Sequence, residues 1–176
     1  MKVTAQEEYG LRCMLQLAKG HGTEPLLSRA IAGREGLSTD YVKKILMCLR
    51  HGGLVASVRG VKGGYELARC PKTITVGQVL EALSEDNGVL NSPDDQLCRQ
   101  YSGRMDICIH VQECVIRPMW NVVAGYISSV LERISLDDLL QEEACVRGLC
   151  EQAMIGPPGM AEFASAPSGD AKLLRG

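Results

Sequence analysis

The sequence predicts a mainly α-helical protein with a small β-hairpin: a winged helix-turn-helix followed by a long dimerisation helix. Three stretches with apolar residues at helical spacing precede a glycine-rich hairpin, which is the element order of a winged helix. A longer apolar pattern returns at about residue 115, after residues 84–113, which show no clean period. The two patterns predict a nucleic-acid-binding part followed by a subunit interface.

The first two helices are short and end at glycines. Residues 5–19 place apolar side chains at positions i, i+3, i+4 and i+7, and Gly20 ends that pattern. Residues 27–35 predict a second helix, which Gly36 closes. Two short helices in this order, followed by a third, indicate the start of a helix-turn-helix.

The third helix has the composition expected of a helix that lies in the major groove of DNA. Ser38 can cap it, and Gly52 and Gly53 stop it. One face is apolar: Val42, Ile45, Leu46 and Leu49. The opposite face is polar and basic: Thr39, Asp40, Lys43, Lys44 and Met47. Such a helix can turn its first residues toward base edges, although its lysines could also form no more than a solvated face.

A glycine-rich hairpin follows this helix. Residues 54–58 predict one strand and residues 65–68 the returning strand, joined by the turn 59–64. The turn can approach the DNA backbone closely with Lys62, and Arg59 at its tip can enter a narrow minor groove. The residues expected to contact DNA are therefore Ser38, Thr39, Tyr41, Lys43, Lys44, Arg59 and Lys62.

Two further helices are predicted after the hairpin. Thr75 caps a fourth helix, and a fifth runs from about residue 115 to 134. Pro118 fits only in a first turn, so the fifth helix proper should begin there. The segment 135–138 can cap a short following helix. The apolar seam of the fifth helix can pack against a copy of itself, and it consists of Ile116, Met119, Trp120, Val123, Ile127, Val130 and Ile134.

The charge is divided unevenly along the chain. Residues 1–72 hold twelve Lys and Arg against six Asp and Glu, whereas residues 73–176 hold seven against fifteen. A basic front half indicates a polyanionic partner. No apolar run approaches the ~20 residues needed to cross a bilayer, and the N-terminus turns acidic where a signal peptide would be apolar. We therefore expect a cytoplasmic protein that binds double-stranded DNA.

The chain has eight cysteines. In a reducing compartment we do not expect them to form structural disulfides. Cys98, Cys108 and Cys114 lie together in the aperiodic loop before the long helix. Three soft ligands on irregular backbone suit an iron–sulfur cluster or zinc, and a fourth ligand must come from elsewhere. Direct oxidation of the cysteines, without any cofactor, is the other interpretation.

The remaining cysteines and glycines do not indicate an enzyme. Cys13 and Cys48 fall within predicted helices and should be small core residues. Cys70 follows the hairpin, and Cys145 and Cys150 form a spare pair near the end of the chain. The sequence has no Cys-x-x-Cys pair, no phosphate-binding glycine loop and no His-rich metal motif.

Two segments resemble one known family. Residues 1–9, and above all residues 52–65, which read GGLVASVRGVKGGY, strongly resemble the bacterial winged-helix iron–sulfur regulators of the IscR, NsrR and RsrR type. The resemblance extends over roughly residues 1–140. It implies a homodimeric transcriptional regulator whose long helices cross at the dimer interface. It also implies a [2Fe-2S] or [4Fe-4S] cluster that senses redox state, nitric oxide or cluster supply.

The resemblance bears on the fourth cluster ligand as well. Some relatives use a His three residues after the last cysteine, but this chain has Arg117 there. Others use an acidic residue in the first helix of the other subunit, where this chain has Glu8. His110 is the second choice for this position. The predicted ligand set is Cys98, Cys108, Cys114 and Glu8.

These features divide the chain into five stretches. Gly, Pro, Ala and Ser dominate its end, so we expect a disordered tail. The predicted boundaries are 1–72 for the winged helix-turn-helix, 73–97 for a linking helix and loop, 98–114 for the cluster loop, 115–144 for the dimerisation helix with a short following helix, and 145–176 for the tail.

Overall fold

The computed structural model describes residues 3–60, 62–84 and 114–154. Its helices are α1 (Ala5–Lys19), α2 (Ser28–Glu35), α3 (Thr39–His51), α4 (Val76–Leu83), α5 (Ile116–Leu131) and α6 (Glu143–Met154). Strands β1 (Val55–Val58) and β2 (Gly64–Leu67) form an antiparallel hairpin, and single 3₁₀ turns lie at Pro71–Thr73 and Asp138–Leu140. The predicted fold class, mainly helical with a small hairpin in the order of a winged helix, is confirmed.

Local sequence signals set the ends of the first three helices. The Thr4 hydroxyl accepts the Glu7 N–H at 3.2 Å while the Glu7 carboxylate accepts the Thr4 N–H at 2.7 Å, which closes a capping box. The Ser38 hydroxyl accepts the Tyr41 N–H at 3.3 Å and caps α3. Gly36 ends α2 in the left-handed conformation, with φ of 68°. The predicted starts and stops of these helices are confirmed to within one residue.

One core joins the three N-terminal helices, the hairpin and α4. The apolar stripe predicted for α3 is wholly buried in it. Burial of side chains of this size contributes about 1.5–3 kcal/mol each, so the core fixes α3 against α1. Its fully buried side chains include Met14, Ile31, Val42, Ile45, Leu46, Leu49, Leu54, Ile74, Val79 and Leu136.

We call the hairpin, residues 55–67, the wing. A residue of the loop before α2 pairs with its strand β2. Val58 pairs with Gly64 at the outer end of the wing. Leu26 pairs with Tyr65 on the other edge of β2, through N–H···O bonds of 2.9 and 2.8 Å. A side chain on Gly64 would lie 2.6 Å from the Leu26 carbonyl oxygen, so this close approach requires glycine. The loop before α2 therefore holds the wing in place.

The chain returns from α5 to the winged helix through a second short pairing. The Val76 N–H donates to the Ile134 carbonyl at 2.8 Å, and the Leu136 N–H donates to the Ile74 carbonyl at 2.9 Å. Leu136 is fully buried in the main core. Ile134 is buried against α4, so this last residue of the predicted seam packs within its own chain. The end of α5 thus belongs to the same folded unit as the winged helix.

The start of α5 differs from the prediction by two residues. The helix begins at Ile116 and not at Pro118. Pro118 still lies in the first turn, where its missing N–H leaves no helical hydrogen bond unmade. After α5, Ser135 and Asp138 exchange hydrogen bonds, Ser135 N–H to Asp138 Oδ2 at 2.9 Å and Asp138 N–H to Ser135 Oγ at 3.2 Å. The segment 135–138 thus closes on itself, but the helix predicted after it is a single 3₁₀ turn, Asp138–Leu140, whose N-cap residue Asp137 makes no side-chain cap.

The prediction of a disordered tail over residues 145–176 is wrong for its first part, because residues 145–154 belong to α6. Two contacts explain the helix. Cys150 packs against the small cluster around Ile134, and Arg147 forms an ion pair of 2.8 Å with Glu143 one turn earlier. Residues 155–176 and 85–113 lie outside the described part of the chain, so the other boundaries stay predictions. Within the described ranges, no helix has the length and apolar character to cross a membrane.

Candidate DNA interface and cysteine site

α3 turns one polar and basic face toward solvent. Ser38 at its cap is exposed, and Thr39 and Tyr41 in its first turn are half-buried. With its apolar stripe buried below, a helix of this kind can enter the major groove with its N-terminal turns. The exposed residues of its outer face are Asp40, Lys43, Lys44, Met47 and Arg50.

Tyr41 joins the first turn of α3 to α1. Its ring meets the Tyr9 ring edge to face, with centroids 6.1 Å apart and planes at 84°. The Arg12 guanidinium lies 5.7 Å from the centre of the Tyr9 ring. Aromatic pairs of this geometry contribute about 0.5–1.5 kcal/mol beyond their buried area. Tyr41, a predicted DNA contact, therefore also positions α3.

The turn at the tip of the wing is tight and cationic. Gly60 has a φ of 111°, and the Gly63 N–H donates to the Gly60 carbonyl at 2.9 Å. Arg59 and Lys62 are both exposed. Val61 lies outside the described residues. The structure thus places the two cations that the sequence predicts as wing contacts at one exposed tip.

Two of the lysines predicted to contact DNA have a carboxylate partner. Lys43 Nζ lies 3.2 Å from Asp40 Oδ1, and Lys62 Nζ lies 2.6 Å from Glu24 Oε1. The first pair could be predicted, since residues three apart share a helix face. The second pair, across 38 residues, could not. All four side chains are exposed, so a DNA phosphate can compete for either lysine.

The structure describes part of the predicted cluster site. Cys114 is half-buried immediately before α5, and its Sγ accepts the Arg117 N–H at 3.3 Å. The sulfur therefore sits at a helix N-terminus, where the peptide dipoles favour an anionic ligand group. Cys98, Cys108 and His110 lie outside the described residues. The assembly of three thiolates at one place stays a prediction.

Glu8, the predicted fourth ligand, forms an ion pair on α1. Its Oε1 lies 2.8 Å from Arg12 Nη2, and both side chains are about half exposed. The hydrogen bond from Arg12 to Glu8, and then the charge of Glu8, raise the pKa of the Arg12 side chain above its usual value. Arg12 is not among the residues that the sequence predicts for this site, although the i, i+4 spacing from Glu8 allows the pair. Among the described residues, no three His, Cys, Asp or Glu side chains stand close enough to hold a metal ion.

The other cysteines differ in exposure. Cys13 is fully buried, and burial raises the pKa of its thiol to about 12, with a smaller contribution in the same direction from the Glu35 carboxylate. Cys48 is half-buried and packs against the same core, so the expectation that both are core residues is confirmed. Cys70 and Cys145 are exposed.

Comparison with known proteins gives consistent matches over most of the chain. The sequence profile of Rrf2, described as iron-dependent transcriptional regulator, matches residues 3–142. IscR of Aliivibrio salmonicida is 35% identical over 140 residues, which are 80% of this chain and 77% of that protein. The structure of T. potens IscR has a TM-score of 0.62 at 35% identity and covers 82% of this chain and 90% of its own. CymR of B. subtilis, named the global cysteine regulator, has a TM-score of 0.61 at 29% identity and covers 79% and 95%.

The winged-helix fold, together with the family match and the relatives, identifies a winged-helix transcriptional regulator of the bacterial type. The chain belongs to the Rrf2 family. The resemblance that rests on residues 52–65 is thereby confirmed. The relatives named above are transcriptional regulators and not enzymes, in agreement with the absence of enzyme motifs in the sequence.

Cys13 should resist alkylation in the native protein. At pH 8 a buried thiol with a pKa of about 12 is almost wholly protonated, so iodoacetamide should modify exposed Cys70 first and reach Cys13 only after unfolding. Timed alkylation followed by peptide mass spectrometry measures this order. Cys70 serves as the internal control, and equal rates for the two thiols would contradict the core position of Cys13.

Proposed function

We propose that this chain is a homodimeric transcriptional regulator that binds a double-stranded DNA operator with α3 and the wing, under the control of an iron–sulfur cluster. One observation carries the DNA part of the proposal. The same core holds the stripe of α3 and the base of the wing, so the charged face of α3 and the exposed Arg59 keep one fixed spacing. A DNA duplex offers its major and minor grooves at a regular spacing, so two elements held at a fixed distance can each contact one groove.

α3 and the wing would contact different parts of the DNA. The first turns of α3, beginning at exposed Ser38, would face base edges in the major groove. Lys43, Lys44 and Lys62 would neutralise phosphates, which fixes position but reads no sequence. Arg59 at the wing tip would enter the minor groove, where a narrow A·T-rich segment attracts a guanidinium.

Arg59→Ala should weaken binding to a duplex selected from a random pool by the unaltered chain. Loss of a minor-groove arginine should cost about 1–3 kcal/mol, which is roughly five- to 150-fold in Kd. Fluorescence anisotropy at fixed salt measures the change. Lys72→Ala is the matched control, because it removes one exposed cation away from the wing tip and should change the Kd less. Equal effects of the two substitutions would count against a role for Arg59 in the minor groove.

The homodimer part of the proposal rests on α5. The N-terminal half of this helix exposes apolar side chains along one broad face, and Val115 just before it is 86% exposed. A contiguous apolar surface of this kind marks an interaction site. A second α5 is a fitting occupant, since the predicted seam allows self-packing. A dimer would present two α3 helices for half-sites ~34 Å apart. The exposed set is Ile116, Met119, Trp120, Val122 and Val123.

Met119→Glu should convert the dimer to a monomer, because it places a charge in the centre of this apolar surface. Sedimentation velocity gives the mass. The fluorescence emission of Trp120, the single tryptophan, should also shift to longer wavelength because its side chain becomes exposed to solvent. Ala144→Glu adds the same charge at an exposed site on α6 and should leave the dimer intact. A Met119→Glu protein that remains dimeric would place the interface elsewhere.

The cluster part of the proposal rests on the chemistry of the donors. Thiolates of Cys98, Cys108 and Cys114 suit iron–sulfur coordination, and the Cys114 sulfur already lies at a helix N-terminus. Glu8 of the other subunit would complete the set with a harder oxygen ligand. A bound cluster would supply a centre that reacts with oxidants or nitric oxide. Ligation would draw the Glu8 carboxylate away from Arg12, which now holds it.

Protein purified without oxygen should be brown and contain iron with acid-labile sulfide. Cys114→Ala should lose both, whereas Cys70→Ala, which removes an exposed thiol outside the loop, should keep both. Iron and sulfide analysis under nitrogen makes the measurement. A colourless unaltered protein without iron or sulfide would remove the cluster and leave the DNA proposal standing.

The second candidate is the same DNA-binding dimer without a cluster, switched by cysteine oxidation or by zinc. It is favoured by the similarity to CymR, a cysteine regulator by name, and by the exposed thiols of Cys70 and Cys145. Metal analysis of the same anaerobic protein separates the cases. Zinc without sulfide, or neither metal nor sulfide, would favour this candidate.

A further inference from the structure

A salt bridge joins the tip of the wing to the loop between α1 and α2. Lys62 Nζ lies 2.6 Å from Glu24 Oε1, and the two side chains are 80% and 74% exposed. The partners are 38 residues apart in the chain, so the folded backbone alone brings them together. The contact is shorter than the Lys43–Asp40 ion pair on α3, which measures 3.2 Å.

Backbone hydrogen bonds hold the segment next to each partner of this pair. Leu26, two residues after Glu24, makes paired hydrogen bonds of 2.9 and 2.8 Å with Tyr65, three residues after Lys62. Gly64 allows the two segments to approach this closely. Glu24 and Lys62 therefore lie close together on the surface whenever the wing is formed.

We propose that Glu24 is an internal competitor of DNA phosphate for the Lys62 ammonium group, and that it lowers the affinity of the wing for DNA of any sequence. The inference rests on the proposed DNA binding. To contact phosphate, Lys62 must exchange the carboxylate for a phosphate oxygen. If the carboxylate stays in place, it repels the DNA backbone at short range.

The competition lowers the overall affinity for DNA and leaves the discrimination between sequences unchanged. Phosphate contacts supply most of the non-specific affinity, and they carry no sequence information. A carboxylate that offsets one such contact therefore lowers binding to random DNA by the same factor as binding to an operator. It also removes about one phosphate from the count that sets the salt dependence, which is a slope of about 0.9 per phosphate.

The test compares Glu24→Gln with the unaltered chain on a 30-base-pair duplex of random sequence across a salt series. The variant should bind about two- to fivefold more tightly, the range expected for release of one exposed ion pair. Its plot of log K against log salt should be steeper by up to about 0.9. Lys62→Gln should then weaken the Glu24→Gln protein more than it weakens the unaltered one, because only the variant has an unopposed ammonium group.

Glu66→Gln is the matched control, since it removes one exposed carboxylate from β2 of the same wing and alters net charge equally. It should gain less affinity and leave the effect of Lys62→Gln unchanged. An affinity gain as large as that of Glu24→Gln would overturn the proposal, as would additive effects of the Glu24 and Lys62 substitutions. If the unaltered chain binds and Glu24→Gln does not differ from it, this inference fails alone. If the unaltered chain binds neither random nor selected duplexes, the proposed function fails with it.

Discussion

A short backbone pairing between residues 74–76 and 134–136 ties the segment after α5 to the winged helix. It joins the segment that enters α4 to the segment that leaves α5, across the stretch 85–113. Leu136, brought in by this pairing, fills the same core that buries the stripe of α3. Leu136 therefore couples the position of the segment after α5 to the packing of α3.

The helix boundaries could be predicted because their signals are local. Capping by Thr4, Ser38 and Thr75 and the left-handed Gly36 each involve residues within one turn. The sequence does not predict α6, because its residues directly precede a stretch rich in Gly, Pro, Ala and Ser that indicates disorder. The contact of Cys150 with the cluster around Ile134 stabilises α6, and no local pattern contains that contact.

The same distinction applies to the candidate site. The exposed face of α3 follows from helical periodicity, and the wing follows from its glycines. The partners of the site residues do not follow in the same way: Glu24 meets Lys62 only because Leu26 pairs with β2. The cysteine loop shows no helical or strand period in the sequence, so periodicity predicts no geometry for it. Its thiols could be named from the sequence, but their arrangement could not.

The burial of Leu136 bears on how the chain can be recombined with its relatives. Its side chain reaches the winged helix from beyond α5, so a DNA-reading module cut out after residue 72 or 84 would carry a hollow where this leucine belongs. A chimaera that exchanges operator preference must therefore transplant residues 134–136 along with the N-terminal segment, or repack the hollow. The residues that must be exchanged together are therefore discontinuous in sequence.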